Sequence, residues 1–185
     1  MSKLNYKGVS SRRNWILVAP VAASSVKTWK ISRFQQVIEK LLLSQDNDIL
    51  LVGDSLARQV CQNLASIDRK RVFDLAGETT LRELGVLVHL SAMLLTNDSA
   101  VMHMAYEMNR PVVALFGPTH YEKYGRSGPF WHIVRQDVAC SPCEKAQCRF
   151  DRQVCFEDLE VEKVYQACLE SLGSPTHLKP EKIHG

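Results

Sequence analysis

Two short apolar segments joined by a helix-forming segment constrain the fold of this chain most. The segments are Ala92–Thr96 and Val112–Phe116, and the residues between them, roughly Ser99–Met108, have helical composition. Each apolar segment has the length and hydrophobicity of a strand buried on both faces. Parallel strands need a long crossover, usually a helix, to connect them. The pattern therefore predicts a β-α-β unit at the centre of the fold.

Polar loops follow both predicted strands, and they leave the sheet at the same edge. The loops are Asn97-Asp98-Ser99 and Gly117-Pro118-Thr119. We expect Asp98 or Ser99 to cap the following helix, whose unpaired N–H groups and dipole suit an anion such as phosphate. Open α/β sheets bind ligands outside the carboxyl ends of their strands. The sequence thus predicts a nucleotide or sugar-phosphate site around Asp98 and Gly117.

The same alternation of strand and helix extends along most of the chain. We expect helices to begin near Ser32 and near Thr79 or Thr80, as both are capping residue types. This alternation predicts an α/β fold with a doubly wound, parallel, Rossmann-like sheet. No glycine fingerprint of the dinucleotide-binding type follows the first strand, which argues against NAD or FAD. The remaining predicted strands are Trp15–Pro20, Asp48–Val52, Val72–Leu75 and Trp131–Val134.

Composition places the chain among ordinary globular proteins. It has 185 residues, 45% of them hydrophobic and 23% charged, with a net charge of +3. So small a charge argues against nucleic acid as a partner. No apolar run reaches the ~20 residues of a membrane span, and no signal peptide is visible, so we expect a cytoplasmic protein with at most peripheral association at the inner membrane face. Expected boundaries are a disordered or tag-like lead at 1–13, one domain at 14–173 and a flexible tail at 174–185.

Cysteines are clustered late in the chain, with the spacing C-x2-C-x4-C-x6-C. This density resembles a small four-cysteine zinc site, although the second half lacks the C-x2-C knuckle. The alternative is a loop held by thiol packing or by facultative disulfides. We expect the other two cysteines, Cys61 and Cys168, to be small core residues. The four clustered cysteines are Cys140, Cys143, Cys148 and Cys155.

Two further residues are candidates whose chemistry the sequence leaves open. Lys27 follows the first predicted strand, where it is either a solvated lysine or a point charge for a diphosphate. His103 lies one turn into the central helix, where a core or helix-end role is commoner than a catalytic one. No serine or cysteine with a convincing nucleophile context accompanies it.

Taken together, these segments resemble glycosyltransferase family 9, the ADP-heptose:lipopolysaccharide heptosyltransferases. The likeness runs from about Trp15 to Leu172. The segments that carry it are S-A-M-L-L-T-N-D-S-A-V-M-H-M-A at 91–105, P-V-V-A-L-F-G-P-T at 111–119, K-T-W-K at 27–30 with Phe34, L-A-G-E-T-T-L-R-E-L at 75–84, and the cysteine loop from Cys140.

This resemblance implies the C-terminal, donor-binding half of a GT-B architecture. It implies inverting transfer of heptose from ADP-heptose onto the lipopolysaccharide core. The acceptor and the catalytic base aspartate would belong to an N-terminal domain, so we expect no turnover by this chain alone. Lys27 would stabilise the donor, Asp98 would hold the loop or the sugar hydroxyls, and no cofactor is implied. The implied donor-site residues are Lys27, Thr28, Asp98, Ser99, Ala100, His103, Gly117, Pro118 and Thr119.

Two departures from the family pattern keep alternatives open. The family usually has Thr-Gly after the aspartate, whereas this chain has Ser99-Ala100, whose Cβ stands where a diphosphate would approach most closely. The segment Gly53–Leu56 also lacks the usual Gly-Gly-Pro. The first alternative is a non-catalytic sugar-nucleotide-binding or assembly module. A zinc-dependent interaction domain and a nucleotide-sugar epimerase are less favoured.

Overall fold

A computed structural model describes residues 15–173, so the predicted lead at 1–13 and tail at 174–185 lie outside the described residues. The described part contains a six-stranded, wholly parallel sheet with the strand order β3-β2-β1-β4-β5-β6. The predicted doubly wound, Rossmann-like fold is thereby confirmed. The strands are β1 Trp15–Ala19, β2 Asp48–Leu51, β3 Val72–Asp74, β4 Met93–Asn97, β5 Val112–Phe116 and β6 Trp131–Arg135.

Helices cover both faces of this sheet. Side chains of α1, α2 and α7 pack with one side of the strands, and those of α3 and α4 pack with the other. Two 3-10 turns, Ser25–Lys27 and Ser55–Ala57, follow β1 and β2. The helices are α1 Ile31–Ser44, α2 Arg58–Ala65, α3 Leu81–Leu90, α4 Ala100–Glu107, α5 Tyr121–Tyr124, α6 Val154–Glu157 and α7 Val161–Gly173.

Strands β1 and β5 are apolar at every position because both of their faces are covered. In β1, Ile16 and Val18 belong to one core cluster, while Leu17 and Ala19 belong to the other. This is the side-chain alternation of a strand, with period 2, applied to two cores at once. A continuous apolar run therefore becomes a strand between two helical layers.

The helix starts predicted from the sequence agree only in part with those in the structure. Thr80 caps α3 through a capping box, in which its hydroxyl accepts from the Glu83 N–H and the Glu83 carboxylate accepts from the Thr80 N–H. The expectation that Ser32 caps a helix is wrong, although the helix begins only one residue before Ser32. Here α1 begins at Ile31, with Lys30 as N-cap and no side-chain capping bond, so Ser32 lies inside the first turn. The short helices α5 and α6 were not predicted, since four residues leave no readable periodicity.

The strand order creates a switch point between β1 and β4. From β1 the chain passes through α1, on one face, to β2, while from β4 it passes through α4, on the other face, to β5. Loops that diverge in this way open a crevice at the carboxyl edge of the sheet, and doubly wound proteins bind ligands in that crevice. The predicted site residues Lys27 and Asp98 follow β1 and β4 respectively.

Candidate functional site

An ion pair bridges the two loops at the switch point. The Nζ atom of Lys27, at the end of the 3-10 turn, is 2.9 Å from Oδ2 of Asp98, just after β4. The Asp98 side chain is 8% exposed, whereas that of Lys27 is 36% exposed. An ammonium group has three hydrogen atoms to donate, so the bond to Asp98 leaves two for other acceptors. The partly exposed Lys27 ammonium is therefore available to a further hydrogen-bond acceptor.

The N-terminus of α4 lies beside this pair, and its capping differs from our expectation. Ser99 is the N-cap with extended backbone, but it makes no side-chain capping bond. Its hydroxyl lies 2.8 Å from that of Thr96 instead, and the Asp98 carboxylate is paired with Lys27. The prediction that Asp98 or Ser99 caps this helix is thus wrong. Without a side-chain cap, the first-turn N–H groups that begin at Ala100 are suited to an anion.

Hydrogen bonds hold the loop after β1, which carries Lys27. The Thr28 hydroxyl donates to the Ser24 carbonyl and accepts from the Ala22 N–H, each at 3.1 Å. Asn97, at the end of β4, bonds to the backbone at both ends of the loop. Asn97 was not among the site residues predicted from the sequence. The available signal was an amide residue closing an otherwise apolar, buried strand.

The loop after β5 lies beneath the cysteine-rich loop rather than open to the crevice. Gly117, Pro118 and Thr119 are all buried. The Ser141 hydroxyl donates to the Gly117 carbonyl at 2.6 Å, and the Cys143 N–H donates to the Pro118 carbonyl at 2.9 Å. A Cβ at Gly117 would stand 2.6 Å from the Phe156 ring, so this close packing requires glycine. These hydrogen bonds join the β5 loop to the cysteine loop that covers it.

One hydroxyl of the β5 loop has no partner among the described residues. Thr119 is 5% exposed, and its Oγ1 makes no hydrogen bond within 15–173. A buried hydroxyl without a partner costs free energy unless a ligand or water satisfies it.

The predicted site residue His103 is exposed on the first turn of α4, with its ring centroid 6.4 Å from that of Tyr106. His103 therefore lies on the solvent-exposed face of α4.

The clustered cysteines are free thiols that span a range of exposure. Cys143 and Cys148 are exposed, Cys140 is half-buried, and Cys155 is buried. Burial is the main cause that raises the pKa of Cys155, and the neighbouring cysteines act in the same direction. Between residues 15 and 173, no group of three or more His, Cys, Asp or Glu side chains is arranged to hold a metal ion. The zinc hypothesis stays a prediction without geometric support.

Two further predictions concern the cysteines outside the cluster and the possibility of a membrane-spanning helix. Cys61 and Cys168 are fully buried, as expected of small core residues. Of the helices in the described part of the chain, none has both the length and the apolar character needed to cross a membrane.

The fold and the site together define a Rossmann-like α/β domain with a lysine–aspartate pair and an uncapped helix N-terminus at its switch point. The sequence model of the family "Glycosyltransferase family 9 (heptosyltransferase)" matches residues 2–153. The chain belongs to this family.

Curated relatives and solved structures agree with that assignment. Lipooligosaccharide heptosyltransferase 2 of Campylobacter jejuni is 33% identical over 162 residues, which are 83% of this chain and 49% of that protein. ADP-heptose lps heptosyltransferase II of E. coli is 22% identical with a TM-score of 0.73, covering 92% of this chain and 50% of the other. E. coli heptosyltransferase WaaC with ADP-2-deoxy-2-fluoro heptose is 15% identical with a TM-score of 0.65, covering 85% and 43%. The chain spans about half the length of the first of these relatives.

Proposed function

We propose that this chain is the donor-binding half of an inverting heptosyltransferase that acts in lipopolysaccharide core biosynthesis. Its ligand is a nucleotide-diphospho-sugar, specifically ADP-heptose. The observation that carries the proposal is the Lys27–Asp98 pair, which stands at the switch point beside the uncapped N-terminus of α4. Family membership supports the class of reaction, and the sugar nucleotide in the WaaC structure supports the class of donor.

The residues of the site suit the departure of a nucleoside diphosphate. In an inverting transfer, the bond from the sugar to the diphosphate breaks and negative charge builds up on the leaving phosphate. The Lys27 ammonium and the first-turn N–H groups of α4 are fixed dipoles and charges that stabilise this build-up. Asp98 holds Lys27 in place and offers its carboxylate to a sugar hydroxyl. Gly117 and Pro118 support the site from beneath the cysteine-rich loop, and the Thr119 hydroxyl, which has no hydrogen-bond partner within residues 15–173, is left to bond the donor.

The rest of the reaction belongs to a second domain. An inverting transfer needs a general base on the acceptor hydroxyl, and we assign the base and the acceptor site to the N-terminal half of the GT-B architecture. Because residues 15–173 supply only one wall of such a cleft, we expect this chain by itself to bind its donor weakly and not to turn over. Heptose transfer catalysed by the isolated chain would contradict this assignment. We further propose a cytoplasmic location, with at most peripheral association at the inner membrane face.

Ala100 favours a second candidate function. It is the first residue of α4 and is exposed, so its Cβ stands at the point where the diphosphate would approach the helix. A chain with this substitution could retain sugar-nucleotide binding without chemistry, as a binding or assembly module. Both candidates require a donor site, and they differ in whether the complete two-domain protein transfers heptose.

Titration calorimetry with ADP tests the donor site. We expect saturable binding by the chain and at least about tenfold weaker binding by Lys27→Met, since a hydrogen bond to a charged group contributes about 1.5–3 kcal/mol. The matched control is Lys40→Met, which removes an exposed lysine paired with Glu162 at 3.0 Å, away from the crevice. Absence of saturable binding at millimolar ADP would remove both candidates.

A further inference from the structure

The side chain of Asn97 joins two elements that the sequence places far apart. Asn97 is the last residue of β4 and is 0% exposed. Its Nδ2 donates to the carbonyl oxygen of Pro20 at 2.9 Å, and its Oδ1 accepts from the N–H of Trp29 at 3.0 Å. Pro20 lies directly after β1, and Trp29 lies two residues before α1. One buried amide therefore fastens both ends of the loop that carries Lys27.

The end of β4 thus contacts this loop through two consecutive residues. Asn97 holds the backbone of the loop at Pro20 and Trp29, and Asp98 holds the ammonium group of Lys27, two residues before Trp29. Because the three contacts come from one short, buried segment, the place of the lysine relative to the N-terminus of α4 depends on all of them. Placement within a fraction of an ångström matters in a site that acts through preorganised charge.

Asparagine suits this position better than the side chains nearest to it in size and shape. An aspartate would set a carboxylate against the Pro20 carbonyl and bury a charge, because a carboxylate has no hydrogen to donate. A leucine of similar size would leave the Trp29 N–H and the Pro20 carbonyl unpaired in a buried place. The donor and the acceptor of the amide are both used, one on each end of the loop.

We propose that Asn97 is a positioning residue that sets the place of Lys27 in the donor site. This inference rests on the proposed function of that site. Asn97 touches no reacting atom and acts through the loop backbone. Loss of the Asn97 side chain should therefore weaken ligand binding by no more than loss of the Lys27 ammonium does.

A double-mutant cycle separates positioning from general loosening. ADP affinity is measured by calorimetry for the full chain, Asn97→Ala, Lys27→Met and the double variant. We expect the ADP affinity of each single variant to fall about tenfold. The affinity of the double variant should fall no further than that of Lys27→Met, because the effects of residues that act as a unit do not add. A multiplied loss in the double variant would overturn the inference. Asn63→Ala, on the exposed face of α2, is the matched control and should bind as the wild type does.

A measurement without ligand keeps the inference testable if the chain does not bind ADP, which would defeat the proposed function alone. The Cε–Hε NMR signal of Lys27 is compared in the wild type, Asn97→Ala and Asp98→Asn. We expect the signal in Asn97→Ala to move towards that of Asp98→Asn, in which the lysine has lost its charged partner. An unchanged signal would refute the positioning role. If Asn97→Ala does not fold, Asn97→Ser, which keeps a short polar group, takes its place in both experiments.

Discussion

Lys27 and Asp98 are 71 positions apart in the chain, and their side chains meet at 2.9 Å. The pair joins the loops after β1 and β4, so Asp98 fixes the place of the cation of the site. Its partner is a carboxylate, a charge of the same sign as a diphosphate. Asp98 therefore has two opposing effects on a donor, since it fixes the lysine and also repels the phosphates.

Asp98→Asn tests the balance of these effects. The substitution keeps the shape of the side chain and an oxygen that still accepts from Lys27, so the lysine stays in place while the like charge is removed. We therefore expect ADP to bind about three- to tenfold more tightly, as one such charge near water is worth about 1 kcal/mol. The preference for ADP-heptose over ADP should fall, because the amide is a weaker acceptor for a sugar hydroxyl. Calorimetry with both ligands measures this. Weaker ADP binding would show that fixing Lys27 is the larger effect, and Asp46→Asn, exposed before β2, is the control.

Ala100→Gly should change binding and stability in opposite directions. Removing the Cβ at the first residue of α4 opens the approach to its N–H groups, so we expect ADP affinity to rise several-fold. Glycine in a helix costs about 0.5–1 kcal/mol relative to alanine, so the urea midpoint should fall. Ala65→Gly, at the end of α2, should show a loss of stability without the gain in affinity. Unchanged affinity in Ala100→Gly would mean that the Cβ does not obstruct the site.

Gly117→Ala should loosen the cysteine loop. The new Cβ would stand 2.6 Å from the Phe156 ring, and overpacking of this kind costs about 1–3 kcal/mol. We expect a lower free energy of unfolding in urea, together with faster alkylation of the buried Cys155, the neighbour of Phe156. Gly173→Ala is the matched control, because a Cβ there meets nothing within 4 Å. Equal stability of the two variants would show that the ring moves aside freely.

Buried thiols should make stability fall at alkaline pH. Burial, with a further contribution from Asp74, raises the pKa of Cys61 from its ordinary value of 9.0 to about 12. Burial also raises the pKa of Cys168. Below pH 9 the thiol is protonated in both states, and as the pH rises from about 9 to about 12 only the unfolded state releases the proton. Each such group therefore removes up to about 1.4 kcal/mol of stability per pH unit in that window.

Urea unfolding between pH 8 and pH 10.5 measures this slope. We expect Cys61→Ala to be less stable than the wild type at pH 8, because it leaves a cavity, and to lose less stability as the pH rises. Cys143→Ala removes an exposed thiol and should keep the wild-type slope. Identical slopes for the wild type and Cys61→Ala would exclude Cys61 as a source of the alkaline loss.

The strands could be predicted from the sequence because their signal is local. β5 was predicted residue for residue, and the other five strands fell within one residue of their observed ends. A strand buried on both faces is a continuous apolar run that ends at a turn-forming residue. This signal does not depend on how the strand pairs with its neighbours. Helix starts were less certain. Thr80 caps because Glu83 completes its box, whereas Ser32 carried the same local signal and lies within the helix.

The sequence by itself determined the fold class, the family and the candidates at the carboxyl edge of the sheet, since these depend on apolar periodicity and on motifs in continuous segments. Tertiary structure alone decided how those candidates are used. It paired Asp98 with Lys27, turned Ser99 towards Thr96 and left the N-terminus of α4 without a side-chain cap. It also gave Asn97 its two bonds to the loop after β1. The physical reason is that a polar side chain takes whichever partner the packed core brings within hydrogen-bond distance, and here every such partner but Thr96 is far away in the chain.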